Sequence, residues 1–121
     1  MATKQFYGPL WVLNAVTGLG TDTGVNIMDS QTVETTEYYE AAAKGIIVSC
    51  PTANNADAYL VEKAADGSFD IANAGTVVMI IPPGTTRQFP QAEYGSNRYK
   101  LDDYAICAAV GDLAYPVAIM Q

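Results

Sequence analysis

The feature that most constrains this chain is the length of its apolar runs. IIVSC (46–50), AYLVEK (58–63), TVVMII (76–81), TTRQF (85–89), DYAICAAV (103–110) and AYPVAIM (114–120) are each five to eight residues long. Between them stand turn-forming residues: PTANNAD, Pro82-Pro83-Gly84 and Gly111-Asp112. A surface helix needs apolar residues recurring at 3.6-residue spacing over ten or more positions, whereas runs this short, rich in Val, Ile, Thr and Tyr, suit strands. Weaker strand signals fall at 24–28, 31–36 and 68–72, with a hairpin-type turn at Ala65-Asp66-Gly67. In Pro82-Pro83-Gly84 the proline ring presets φ and the glycine accepts a positive φ. Gly111-Asp112 fits a tight hairpin joining the last two strands. The segment around Ala41-Ala42-Ala43-Lys44-Gly45 reads two ways: one or two helical turns ending in a glycine cap, or a strand continued from Tyr38-Tyr39.

Seven to nine short strands at this spacing indicate an all-β fold, an antiparallel β-sandwich of jelly-roll character. At 121 residues the chain makes one such unit. Residues 1–23 stand apart as an extended N-terminal arm, and 24–121 form the sandwich. The arm carries Phe6, Tyr7, Leu10, Trp11, Val12 and Leu13, and Pro9 argues against a central strand there. Its aromatic content calls for packing on this subunit or on a neighbour. Lys4 ahead of an apolar stretch faintly imitates a signal peptide, but Pro9 and Asn14 interrupt it. No apolar run approaches the ~20 residues of a membrane-spanning helix, so no membrane partner is expected.

Composition narrows the chemistry. The chain has no histidine, which removes the commonest general base and the commonest metal ligand. A serine activated by lysine would remain, yet no Ser-x-x-Lys spacing occurs. Cys50 and Cys107 share no Cys-x-x-Cys spacing and both lie in apolar stretches, which reads as two inert buried thiols rather than a zinc or redox site. Six basic residues face 13 acidic ones, a net charge of −7, and the bases are scattered. Phosphate backbones are held by clustered Lys and Arg, so nucleic acid is excluded as the expected partner. Asp66-Gly67-Ser68-Phe69-Asp70 lacks the alternating carboxylates of a calcium loop. Asp102 and Asp103 are adjacent, so on a strand they diverge and read as solvated strand-entry residues. Gly18-Leu19-Gly20 has no third glycine and no strand-to-helix setting for a phosphate loop. No enzyme activity and no cofactor are expected.

The pattern within strands carries the functional hint. An antiparallel sheet wet on one face alternates apolar and polar residues. Here Val78 and Ile80 oppose Val77, Met79 and Ile81. Tyr104, Ile106, Ala108 and Val110 oppose Ala105, Cys107 and Ala109. Tyr115, Val117 and Ile119 oppose Ala118 and Met120. Strands apolar on both faces need a cover, either the chain's own arm and loops or another subunit, and subunit contact is favoured. The small row Ala105, Cys107 and Ala109 permits close backbone approach. Together with Phe6, Tyr7, Leu10, Trp11, Tyr38 and Tyr39 it forms the expected interface set. The alternative use of Trp11, Tyr38, Tyr39, Tyr94 and Tyr99 is an aromatic platform for a sugar ring.

Three segments carry a resemblance: IIVSCPTANNADAYLVE, MIIPPGTTRQF and the closing LDDYAICAAVGDLAYPVAIMQ. In this order they resemble the small β-sandwich accessory proteins of tailed bacteriophage virions, especially capsid decoration (cement) proteins. The likeness spans about the last two-thirds of the chain and transfers no individual site residue. It implies a virion structural protein on the capsid surface that binds the major capsid protein, bridges neighbouring shell subunits and is itself a homo-oligomer, most often a trimer. The alternative is a carbohydrate- or receptor-binding sandwich of a phage tail, fibre or cell surface.

Overall fold

A computed structural model of the chain describes residues 10–28, 42–64, 76–90 and 99–120. The expected strands at 31–36 and 68–72, the turn at 65–67, and Phe6, Tyr7, Tyr38, Tyr39 and Tyr94 lie outside these residues.

Two antiparallel sheets lie face to face, the sandwich that the short apolar runs predict. The strands, in chain order, are β1 (Leu10–Val12), β2 (Val16–Thr17), β3 (Gly20–Asn26), β4 (Ala42–Ala43), β5 (Gly45–Ser49), β6 (Ala58–Glu62), β7 (Thr76–Ile81), β8 (Thr86–Phe89), β9 (Tyr99–Lys100), β10 (Tyr104–Ala108) and β11 (Leu113–Ile119). The first sheet runs β1-β11-β5-β8, with β2 also on β11, and the second runs β3-β10-β6-β7. A two-stranded ribbon of β4 and β9 stands beside them.

The first sheet contributes Trp11, Val16, Ile46, Val48, Ala114 and Ala118 to the core, and the second contributes Leu60, Met79, Ile81, Tyr104, Ile106 and Ala108. Alternation along each strand selects these residues, as a period of two requires. A bulge shifts the register between Leu60↔Met79 and Val61↔Val77. It turns Val77 outward with Val61, although sequence parity alone puts Val77 on the side of Met79 and Ile81. Phe89, Tyr99 and Tyr104 meet in the core at ring-centroid separations of 5.1, 5.8 and 6.3 Å.

Two open local readings are resolved and one expectation changes. Residues 10–23 pack on this subunit rather than on a neighbour, supplying β1, β2 and the start of β3; β1 is an edge strand on β11, and Trp11 is only 2% exposed. Of the two readings around residues 41–45, the strand holds at Ala42 and Ala43, which pair with Lys100 and Tyr99. The Gly111-Asp112 turn joins β10 of one sheet to β11 of the other, so it is an arch between layers rather than a hairpin within one.

Pro116 sits inside β11, a strand paired on both sides, where a missing N–H is costly. Its carbonyl accepts Leu13 N at 3.1 Å, just where the neighbouring edge passes from β1 to β2. The missing donor therefore falls at a break in the ladder.

Candidate functional site

Four connections meet at one end of the sandwich: the β2–β3 turn at Gly18-Leu19, the β5–β6 loop (50–57), the Pro82–Thr85 turn and the β10–β11 arch. Cys50 N donates to Thr85 O at 2.9 Å and Gly84 N to Cys50 O at 2.9 Å, which ties the proline turn to the loop. Thr85 N closes that turn on Pro82 O at 3.2 Å, with Gly84 at φ +77° as the sequence predicts.

Asp112 is the centre of this end. Its side chain is buried and accepts hydrogen bonds from Asn55 N at 2.9 Å, Asn55 Nδ2 at 3.1 Å and Ala56 N at 3.2 Å. A carboxylate supplied with this many donors tolerates burial that would otherwise be expensive. Asn54 works beside it as a substitute strand partner. Its Nδ2 donates to Leu113 O at 2.7 Å, and its Oδ1 accepts Leu113 N at 3.0 Å. The Cys50 thiol is pushed up from its ordinary pKa, first by burial and then by the Asp112 charge, against a lowering hydrogen bond with Asn54. It is a protonated, inert thiol at neutral pH.

On this scaffold stand two unusually exposed aliphatic residues. Gly18 N donates to Asp112 O at 2.8 Å and Gly111 N to Gly18 O at 3.1 Å, so Leu19 and Val110 each sit one residue from the same bonds. Leu19 is 61% and Val110 76% exposed. Gly18 allows the approach, because a Cβ there would overlap the carbonyl oxygens of Ala108 and Ala109. Gly111 takes φ +85°, a backbone that favours glycine. The result is an apolar knob on a braced turn end.

A second apolar surface is the outer face of the first sheet. Pairing Val12↔Val117↔Ile47 places these side chains on the outer face in a row, with Leu10 beside them; Ile119, the partner of Leu10 on the same face, is buried within the chain. Val12 is 67%, Tyr115 44% and Leu10 38% exposed, and Val117 and Ile47 are half-buried.

The expected interface set is dispersed by the fold. Trp11, Ala105 and Cys107 are buried within this single chain, so none offers surface to a partner. Ala105 and Cys107 do lie on the face of β10 away from the intersheet core, but that face is covered within the chain itself. Ala109 is half-buried in the arch, and Leu10 lies on the outer sheet face. Among the described members of the sugar platform, Trp11 is buried and Tyr99 is half-buried beside Phe89 and Tyr104. Asp102 and Asp103 belong to a 3₁₀ turn, Leu101–Asp103, where Asp102 Oδ1 accepts Asn26 Nδ2 at 3.1 Å and Asp103 pairs with Lys63 at 3.2 Å. Both are bonded within the chain rather than merely solvated.

Among the described residues no cluster of three His, Cys, Asp or Glu is placed to hold a metal ion, and no helix is long and apolar enough to cross a membrane. The knob at Leu19 and Val110 escaped the sequence reading. Gly18-Leu19-Gly20 reads as turn-prone and Val110 as a strand residue, and neither reading signals an exposed side chain. The chain matches no protein-family model, no curated protein and no solved structure at a significant level.

Proposed function

We propose that the protein is a virion structural protein, a capsid decoration (cement) protein that binds the major capsid protein at the shell surface and bridges neighbouring subunits. One observation carries the reading. Leu19 and Val110, two aliphatic side chains of the turn end, are held in the open on a hydrogen-bonded scaffold. Exposed aliphatics on braced turns suit insertion into an apolar pocket of a partner protein. The sandwich fold and the resemblance of the closing segments to decoration proteins support the same reading. The glycan-binding alternative has less support, because Trp11, the anchor of its aromatic platform, is buried.

The test is co-sedimentation of the purified protein with mature tailed-phage shells built from the major capsid protein that the proposal takes as its partner. Saturable binding is expected, weakened roughly tenfold or more in the Leu19→Ser/Val110→Ser double variant. Both side chains are exposed, so the variant retains its fold. Absence of wild-type binding at micromolar concentration would sink the proposal.

A further inference from the structure

We infer that the outer face of the first sheet is a contact between two copies of this chain, independently of what the turn end binds. The outward positions of β1, β5, β8 and β11 that remain accessible are Leu10, Val12, Ile47, Ser49, Thr86, Gln88, Leu113, Tyr115 and Val117, while Gly45 and Ile119 at the same face are buried by the chain itself. None carries a charge, although the chain bears 13 acidic residues. Ser49, Thr86 and Gln88, three of the four polar members of the face, already have partners, and Tyr115 is the fourth. Ser49 Oγ and Thr86 Oγ1 share a hydrogen bond at 2.8 Å, and Gln88 Nε2 donates to Pro90 O at 3.3 Å. The face therefore gives up little hydration when covered.

These features select the occupant. A charged partner surface would bury its charges against a face with no counter-charge, a costly arrangement. A polar partner would find its hydrogen-bonding groups unmatched. A neutral, flat, apolar sheet face fits, since sheets stack on sheets with interdigitating side chains. The molecule presents such a face itself, and meeting through it leaves the carboxylates of two −7 chains outside the contact. A face set against its own copy closes about a two-fold axis. The species is thus a dimer, in contrast to the trimer that the resemblance implies.

The area sets the strength. Four strands ~4.8 Å apart and ~20 Å of strand length give a footprint of about 300 Å². That is well below the ~800 Å² per partner of a stable complex. Association is therefore weak and concentration-dependent.

Sedimentation equilibrium of the full chain from ~10 μM to ~1 mM tests this, with Val12→Asp and, as a control on the other surface, Val110→Asp. Val12 and Val110 are both exposed, so neither change threatens the fold, and circular dichroism checks that. The wild type and Val110→Asp are expected to move from monomer toward dimer mass, with Val12→Asp shifting the midpoint at least about tenfold. A monomer throughout, a trimer end point, or a Val12→Asp variant that associates like the wild type would each overturn the inference. Shell binding is read separately, so its failure leaves this result standing.

Discussion

Tyr104 joins core packing to a measurable pH response. It lies between the sheets, touches Phe89 and Tyr99, and donates its hydroxyl proton to Glu62 Oε2 at 3.1 Å. Burial raises its pKa most, followed by the Glu62 charge and by the hydrogen bond that needs the proton in place. The folded state thus holds this proton more tightly than the unfolded chain, whose tyrosine titrates near ~10. The sign follows directly: this contribution to stability is complete below about pH 10 and declines as the pH rises above it. Its slope is ~1.4 kcal/mol per pH unit while only the unfolded chain is ionised. Urea midpoints between pH 9 and 11.5 are expected to fall more steeply for the wild type than for Tyr104→Phe. Parallel pH profiles would show that the proton is not held by this site. The Tyr104–Glu62 pair itself was not legible in the sequence, since alternation placed Tyr104 on an apolar face but could not name a residue 42 positions away.

At the scale of the element, the connections separate what sequence reading reaches from what it misses. The strands at 46–50, 58–63, 76–81, 85–89 and 114–120 were legible to within a residue or two, because each is a short run rich in Val, Ile, Thr and Tyr set between turn residues. β3 was cut at residue 23, since its Gly-Thr-Asp-Thr-Gly stretch has no apolar alternation to betray a strand. The Pro82-Pro83-Gly84 turn was legible because its chemistry is local. The arch at Gly111-Asp112 was mistaken for a hairpin because local residues specify a reversal and say nothing about which sheet receives the next strand. Likewise Asn54 and Asn55 were seen only as loop residues; their partners, Asp112 and Leu113, are 57 to 59 positions distant. Three glycines rank these connections. Gly18→Ala forces a Cβ onto two backbone carbonyls and is expected to cost more than ~3 kcal/mol or to prevent folding. Gly84→Ala adds a positive φ to a contact of 2.8 Å with Thr52 Cγ2, for about 2 kcal/mol. Gly111→Ala meets nothing within 4 Å and bears only the φ +85° penalty, about 1 kcal/mol. Denaturant titration of the three variants gives the order, and an equal loss at Gly18 and Gly111 would contradict the close approach of the β2–β3 turn to the arch.

Across the whole molecule, the question is whether the N-terminal segment and the sandwich form one cooperative unit. Composition drew a boundary at residue 23, between an aromatic arm and a strand-rich body. The register argues for unity, since β1 pairs with β11, which pairs in turn with β5. Trp11 also packs in the same core as residues of both sheets. Its neighbours come from segments far apart in sequence, so losing β1 would open the core beneath it. Trp11 is the chain's single tryptophan, which makes its fluorescence a report on β1 alone, while far-ultraviolet circular dichroism follows the strands as a whole. In a two-state unit the two probes change together. Their urea midpoints and slopes are therefore expected to coincide, with the emission moving from that of a buried indole to that of a hydrated one. An indole signal that is lost at lower urea than the strand signal would instead make residues 10–13 a separately detachable segment, of the kind that local opening removes first.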